Sequence, residues 1–107
     1  MLNTELKNKI IKSLSTFNPE KIILFGSYAH GMPNKSSDID LLVIKNLKEK
    51  EVRTYRLQIK KKLFEQFKDS FLYFDIIVDS EQRINNRIKI GDLFYEEIYN
   101  KGTIIYA

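Results

Sequence analysis

Two short apolar runs, Ile22 to Phe25 and Leu41 to Ile44, bracket the stretch that most constrains this chain, IILFGSYAHGMPNKSSDIDLLVI. The first run ends in Gly26-Ser27, and the second is reached through Asp38-Ile39-Asp40. Runs this short and this apolar, bounded by turn residues, read as strands covered on both faces. The stretch is therefore a strand, a tight turn, a loop and a second strand that carries two carboxylates.

Side chains alternate faces along a strand, so Asp38 and Asp40 project from one face with Cα atoms about 6–7 Å apart. Like charges held that close repel unless something neutralises them. A divalent cation does so, and an oxygen-only ligand set favours a hard ion such as Mg²⁺ or Mn²⁺. An isolated Asp-x-Asp is more often an exposed surface pair. Asp75 adds to the case, because it is the one charge in the apolar run FLYFDIIV from Phe71 to Val78. A carboxylate is costly to bury there unless paired or coordinated. With that strand beside the second, Asp75 faces the site of Asp38 and Asp40, and three such carboxylates can hold two ions about 3.5–4 Å apart. The alternative for Asp75 is an edge-strand residue that faces solvent or pairs with a lysine. Gly26 lets a ligand approach the backbone closely, and a turn opening a helix aims N–H groups at an anion, with the Ser27 hydroxyl as a further donor. An ordinary Gly-Ser turn is the plainer reading of those two residues.

The remaining elements follow from periodicity and punctuation. Leu6, Ile10, Ile11, Leu14 and Phe17 share one face of a helix over residues 3–17, capped by Asn3 or Thr4 and ended by Asn18-Pro19. The strands span 21–25, 38–44 and 71–78, with a loop from Gly31 through Ser37 after one helical turn at 27–31. A long helix over 49–68 buries Val52, Tyr55, Ile59, Leu63 and Phe67 and turns Arg53, Lys60, Lys61 and Lys68 outward. Asp79 reads as a helix cap before a helix over 81–89, Asp92 caps a last helix, and 103–106 form a terminal strand. This predicts one α+β domain over 1–107, a small mixed β-sheet flanked by helices.

Composition narrows the function classes. The chain has 107 residues, 43% of them hydrophobic and 12% aromatic, enough for one core. It has no cysteine, which excludes disulfides and thiolate metal sites. No stretch approaches the ~18 apolar residues of a membrane span, and the opening residues lack an apolar signal core, so a cytoplasmic protein without membrane contact is expected. Net charge is +4, yet Lys45 to Lys62 alone carries eight basic and two acidic residues, a local +6. That segment is either a solvated helix face or a surface for an anionic partner.

Gly26-Ser27, then Asp38-x-Asp40, then a later strand aspartate at Asp75 resembles the motif of the DNA polymerase beta-type nucleotidyltransferase superfamily. GSYAHG and SSDIDLLVI are similar to its small members, the minimal nucleotidyltransferases or MNT proteins, over roughly residues 21–78. The resemblance implies a palm-like nucleotidyltransferase fold and transfer of AMP from ATP to an acceptor hydroxyl, with pyrophosphate released. It implies two Mg²⁺ ions (Mn²⁺ as substitute) on Asp38, Asp40 and Asp75, with Asp75 helping to activate the acceptor. Gly26 and Ser27 would hold the β and γ phosphates. Relatives of this size act as antitoxins that adenylylate a tyrosine of a HEPN-type RNase toxin, a type VII-like arrangement. That implies a toxin partner in a hetero-oligomer, and a chain this short leaves little room for an acceptor-binding domain of its own.

Many relatives have arginine where this chain has His30, its only histidine. His30 is either a surface-loop residue or a neighbour of the triphosphate. Tyr28 is a packing residue whose ring can also lie beside the nucleotide. Ser36 and Ser37 read as turn residues and Lys35 as solvated. Two other functions compete: a catalytically inactive antitoxin that neutralises by contact, and a small-molecule nucleotidyltransferase, which the absent helical domain disfavours. Nucleic-acid binding rests on the basic segment alone, since RNP-type aromatics and zinc patterns are missing.

Overall fold

The structure, a computed structural model, describes residues 2–29, 38–70 and 72–107. His30, Lys35, Ser36, Ser37 and the loop expected around them lie outside the described residues. In chain order the elements are α1 (Thr4–Ser15), β1 (Lys21–Phe25), β2 (Ile39–Ile44), α2 (Glu49–Phe67), β3 (Phe74–Asp79), α3 (Glu81–Lys89), α4 (Leu93–Lys101) and β4 (Thr103–Tyr106). This is the expected α+β arrangement of a small mixed sheet and flanking helices. The strands lie in the order β3-β2-β1-β4. β1 is antiparallel to both β2 and β4, while β2 and β3 run parallel. Parallel neighbours cannot be joined by a tight turn, so α2 serves as the crossover between them.

Alternation along the strands separates two apolar layers. Ile22, Leu24, Ile39, Leu41, Val43, Ile76 and Val78 pack with Ile10 and Leu14 of α1 and Ile59, Leu63 and Phe67 of α2. On the other face Ile23, Leu42 and Ile44 pack with Ile84 of α3 and Ile98 of α4. β2 is thus apolar on both faces, and its last four residues are fully buried. Asn3 caps α1, its Oδ1 accepting from the Leu6 N–H at 2.7 Å. Asn18 takes φ 53° and turns the chain toward β1. Tyr55 on α2 donates to the Phe17 carbonyl at 2.9 Å, and burial pushes its pKa up to about 12.

Three local readings change. β3 starts at Phe74 rather than Phe71, and Asp38 stands just before β2 rather than inside it. Asp79 is not a helix cap: it is the last residue of β3 and 9% exposed. Ser80 caps α3 instead, its Oγ accepting from the Arg83 N–H at 3.2 Å. The Asp79 carboxylate accepts from the Ser80 N–H at 2.9 Å, Arg83 Nε at 3.2 Å and the Tyr95 hydroxyl at 2.6 Å. Asp92 does cap α4, accepting from the N–H groups of Phe94 and Tyr95.

A buried carboxylate with three donors depends on each of them. Tyr95→Phe removes the shortest bond and should cost about 1–3 kcal/mol in urea unfolding. A loss under about 0.5 kcal/mol, the level of an ordinary surface change, would show that Asp79 does not need it.

Candidate active site

The candidate residues gather at one end of the sheet through strand register. Phe25 at the end of β1 lies opposite Asp40 in β2, and Asp40 lies opposite Asp75 in β3. Adjacent residues across a ladder project to the same face, so Asp40 and Asp75 share the face covered elsewhere by α3 and α4. Asp40 is partly buried; Asp38 and Asp75 are exposed. The Ile39 N–H donates to the Tyr73 carbonyl at 2.9 Å, which ties the residue after Asp38 to the approach of β3.

Of the two readings of Asp75, the solvent-facing edge-strand residue is the one found. β3 is an edge strand and Asp75 reaches solvent, while its backbone still sets it beside Asp40. Among the described residues, none of Asp38, Asp40 and Asp75 forms an ion pair. Asp40 feels the consequence. Burial first, then the negative charges of Asp75 and Asp38, raise its carboxyl above the ordinary value of 3.8. The same three charges form a hard oxygen donor set with no ion-pair partner among the described residues, the chemistry that suits Mg²⁺ or Mn²⁺. As their side chains stand, no three acidic or histidine residues among those described encircle an ion. Asp38 and Asp75 are solvent-exposed side chains that must turn inward to do so.

Gly26 is required twice over. Its φ of +74° is a left-handed conformation that glycine adopts without strain. A Cβ there would also run into the Asp40 carboxylate, lying 3.1 Å from its Cγ. The Ala29 N–H donates to the Gly26 carbonyl at 3.1 Å and closes one turn through Ser27 and Tyr28. Tyr28 packs against the α1–α2 side of the core, as its packing reading expects. The turn that carries Ser27 is thus in contact with Asp40.

Sequence reasoning misses a cleft of about 160 Å³ beside Gly26, walled by Phe25, Phe94, Glu97 and Lys101. Phe94 stands edge-on to Phe25 at 5.9 Å. Nothing in the local pattern of α4 marks these residues, because an aromatic near a helix start reads as core. Their place comes from β4, which follows α4 and pairs with β1.

Two measurements test this geometry. Gly26→Ala forces a Cβ into Asp40 and a strained φ, so it should lower the melting temperature and displace the Asp40 amide resonance; an unperturbed spectrum would contradict the contact. For Asp40 the raised pKa means the folded state holds its proton more tightly than the unfolded chain. Stability from that group is present below the ordinary value of 3.8 and lost as pH rises through the higher folded value. Asp40→Asn should therefore raise the metal-free melting temperature at neutral pH, with the gain vanishing below pH 3.8. A gain independent of pH would assign it to something other than charge.

Comparison with known proteins gives the family of the chain. The family described as "Polymerase beta, Nucleotidyltransferase" matches residues 8–107. A Methanocaldococcus jannaschii protein named "Putative protein adenylyltransferase" is 31% identical over 87 residues, covering 81% of this chain and 78% of that one. The fold is similar, with a TM-score of 0.60, to a solved chain described as "Crystal structure of the toxin-antitoxin with AMP-PNP". That match has 23% identity and covers 94% of this chain and 73% of the other. With the family match spanning nearly the whole chain and the motif residues at the joined ends of β1, β2 and β3, this protein belongs to the polymerase beta nucleotidyltransferase family and is a nucleotidyltransferase of its minimal type.

Proposed function

We propose that the chain transfers AMP from ATP to a hydroxyl of a partner protein, a tyrosine of a HEPN-type toxin, and thereby acts as an antitoxin. The observation that carries this reading is the contact of the Gly26 turn with Asp40, with Asp75 in register beside it. A phosphate-binding turn and a carboxylate row without an ion-pair partner among the described residues are the two halves of a nucleotidyl-transfer site. The adenylyltransferase name of the archaeal relative supports the choice of reaction, and the toxin-antitoxin description of the structural neighbour supports the choice of partner.

In this reading Gly26 and Ser27 bind the β and γ phosphates through backbone and hydroxyl donors. Lys101, in the cleft beside Gly26 and 3.5 Å from Glu97 Oε1, is a cationic group near the turn. Tyr28 packs the turn against the core, and His30 would stand near the triphosphate as the family resemblance implies. Asp38, Asp40 and Asp75 would hold two Mg²⁺ ions, which supply charge neutralisation and Lewis acidity at the phosphates when bound. Asp75, exposed on the edge strand, is the carboxylate an incoming protein hydroxyl can reach, and it accepts the hydroxyl proton. The acceptor oxygen then bonds to the α-phosphorus while the bond from that phosphorus to the bridging oxygen breaks, and pyrophosphate leaves.

The test is labelling of the co-purified partner with α-³²P-ATP and Mg²⁺. Asp38→Ala and Asp40→Ala should each reduce label at least about 10²-fold, the scale of removing a principal transition-state stabiliser. Asp75→Asn should lower kcat with less effect on the KM for ATP. Label that survives the first two changes would overturn the assignment. Toxin neutralisation undiminished in the Asp38→Ala, Asp40→Ala double variant would instead assign the chain to inhibition by binding alone.

A further inference from the structure

At the carboxyl ends of β2 and β3 lies a second charged cluster. Ile44 and Asp79 pair there, four residues beyond the Asp40–Asp75 pair, or about 13 Å along the strands. A pocket of about 340 Å³ opens between the starts of α2 and α3. Arg53 and Arg56 reach it from α2, and Arg83 from α3. Ser80, the residue that caps α3, forms part of its wall. In open sheets with parallel strands, the crevice outside the carboxyl ends is the usual place for a ligand.

The charges there are not matched within the described residues. Glu49 and Asp79 also line the pocket, but the Asp79 carboxylate already accepts three hydrogen bonds, one of them from Arg83. Neither Arg53 nor Arg56 forms an ion pair among the described residues. The Arg56 Nε exposes less than 1 Å² and has no hydrogen-bond partner among them. A buried donor left without an acceptor costs free energy, and three arginines line the same pocket with two acidic residues. The packing of α2 does not call for either, since Ile59, Leu63 and Phe67 supply its buried face.

We infer that this pocket is a binding site for a phosphate-bearing small molecule, separate from the catalytic end. Guanidinium forks match phosphate oxygens in geometry and charge. Arg56 lines the pocket, and its Nε is a donor with no acceptor among the described residues. The N–H groups at the start of α3 favour the same anion. The basic segment from Lys45 to Lys62 then has a focus: its two arginines line one pocket, while its lysines do not.

Amide and arginine Nε–Hε resonances of ¹⁵N-labelled protein would be followed in EDTA, with inorganic phosphate and AMP as separate titrants. Without divalent ions the carboxylate row repels anions and the arginine pocket does not. The Arg56 Nε–Hε signal and the Ser80 and Arg83 amides should shift saturably. Equal midpoints for the two titrants assign recognition to the phosphate group; a lower midpoint for AMP adds a nucleoside contact. Arg53→Gln with Arg56→Gln should weaken binding at least about tenfold. Glu49→Gln removes a repelling charge and should tighten it by roughly threefold, so the inference stays testable even should the double variant fold poorly. Shifts that never saturate, shifts centred on Gly26 and Ser27, or midpoints that Glu49→Gln leaves unmoved would each overturn it.

Discussion

Strand β2 is bonded on both edges and buried on both faces, and the functional groups take their positions from that confinement. Its antiparallel bond to β1 brings the Gly26 turn to Asp40, and its parallel bond to β3 brings Asp75. Register cannot slip by one residue, because a slip would turn Leu41 and Val43 to the opposite layer along with the carboxylates. Hydrophobic burial along Leu41 to Ile44 therefore holds the polar end in place. The α2 crossover is the other half of the constraint, since only a long connection can return the chain to run parallel beside β2.

One face of this sheet treats carboxylates in two opposite ways. Asp79 is buried and receives three donors, so it is neutralised within the fold. Asp40, four positions along the same ladder, receives like charge from Asp75 and Asp38, and its proton is held more tightly. The first arrangement serves stability. The second costs stability and makes sense only where something cationic arrives from outside. A local conflict of this kind, kept inside an otherwise consistent core, is the mark of a functional site. The arginine pocket has the same logic with the sign reversed, and the two lie at opposite ends of β2 and β3.

Much of this was readable from the order of residues. The bounds of β1, α3 and β4 follow from apolar runs and turn residues, because period and punctuation are local properties. Gly26, Ser27 and the alternation of Asp38 and Asp40 are local as well, and they carried the family resemblance. What escaped were properties that depend on a neighbour distant in the chain. Asp79 looked like a cap because Ser80 follows it, yet its partners include Tyr95, sixteen residues on. Asp75 could be read as buried or as an edge residue, and only the sheet order, with β3 at the edge, decided between them. Phe94 and Lys101 stand beside Gly26 only because β4 pairs with β1.

The sequence by itself determined which segments become strands and helices, and it pointed to the turn residues proposed to hold phosphate and the carboxylates proposed to hold a cation. Those choices rest on side-chain chemistry and spacings of a few residues. Folding in three dimensions decided that Asp75 stands level with Asp40, that Gly26 touches the Asp40 carboxylate, and that Arg53, Arg56 and Arg83 line one pocket. The physical reason is that hydrogen-bond register and crossover geometry, set by burial of β2 on both sides, fix distances between residues that no local pattern relates.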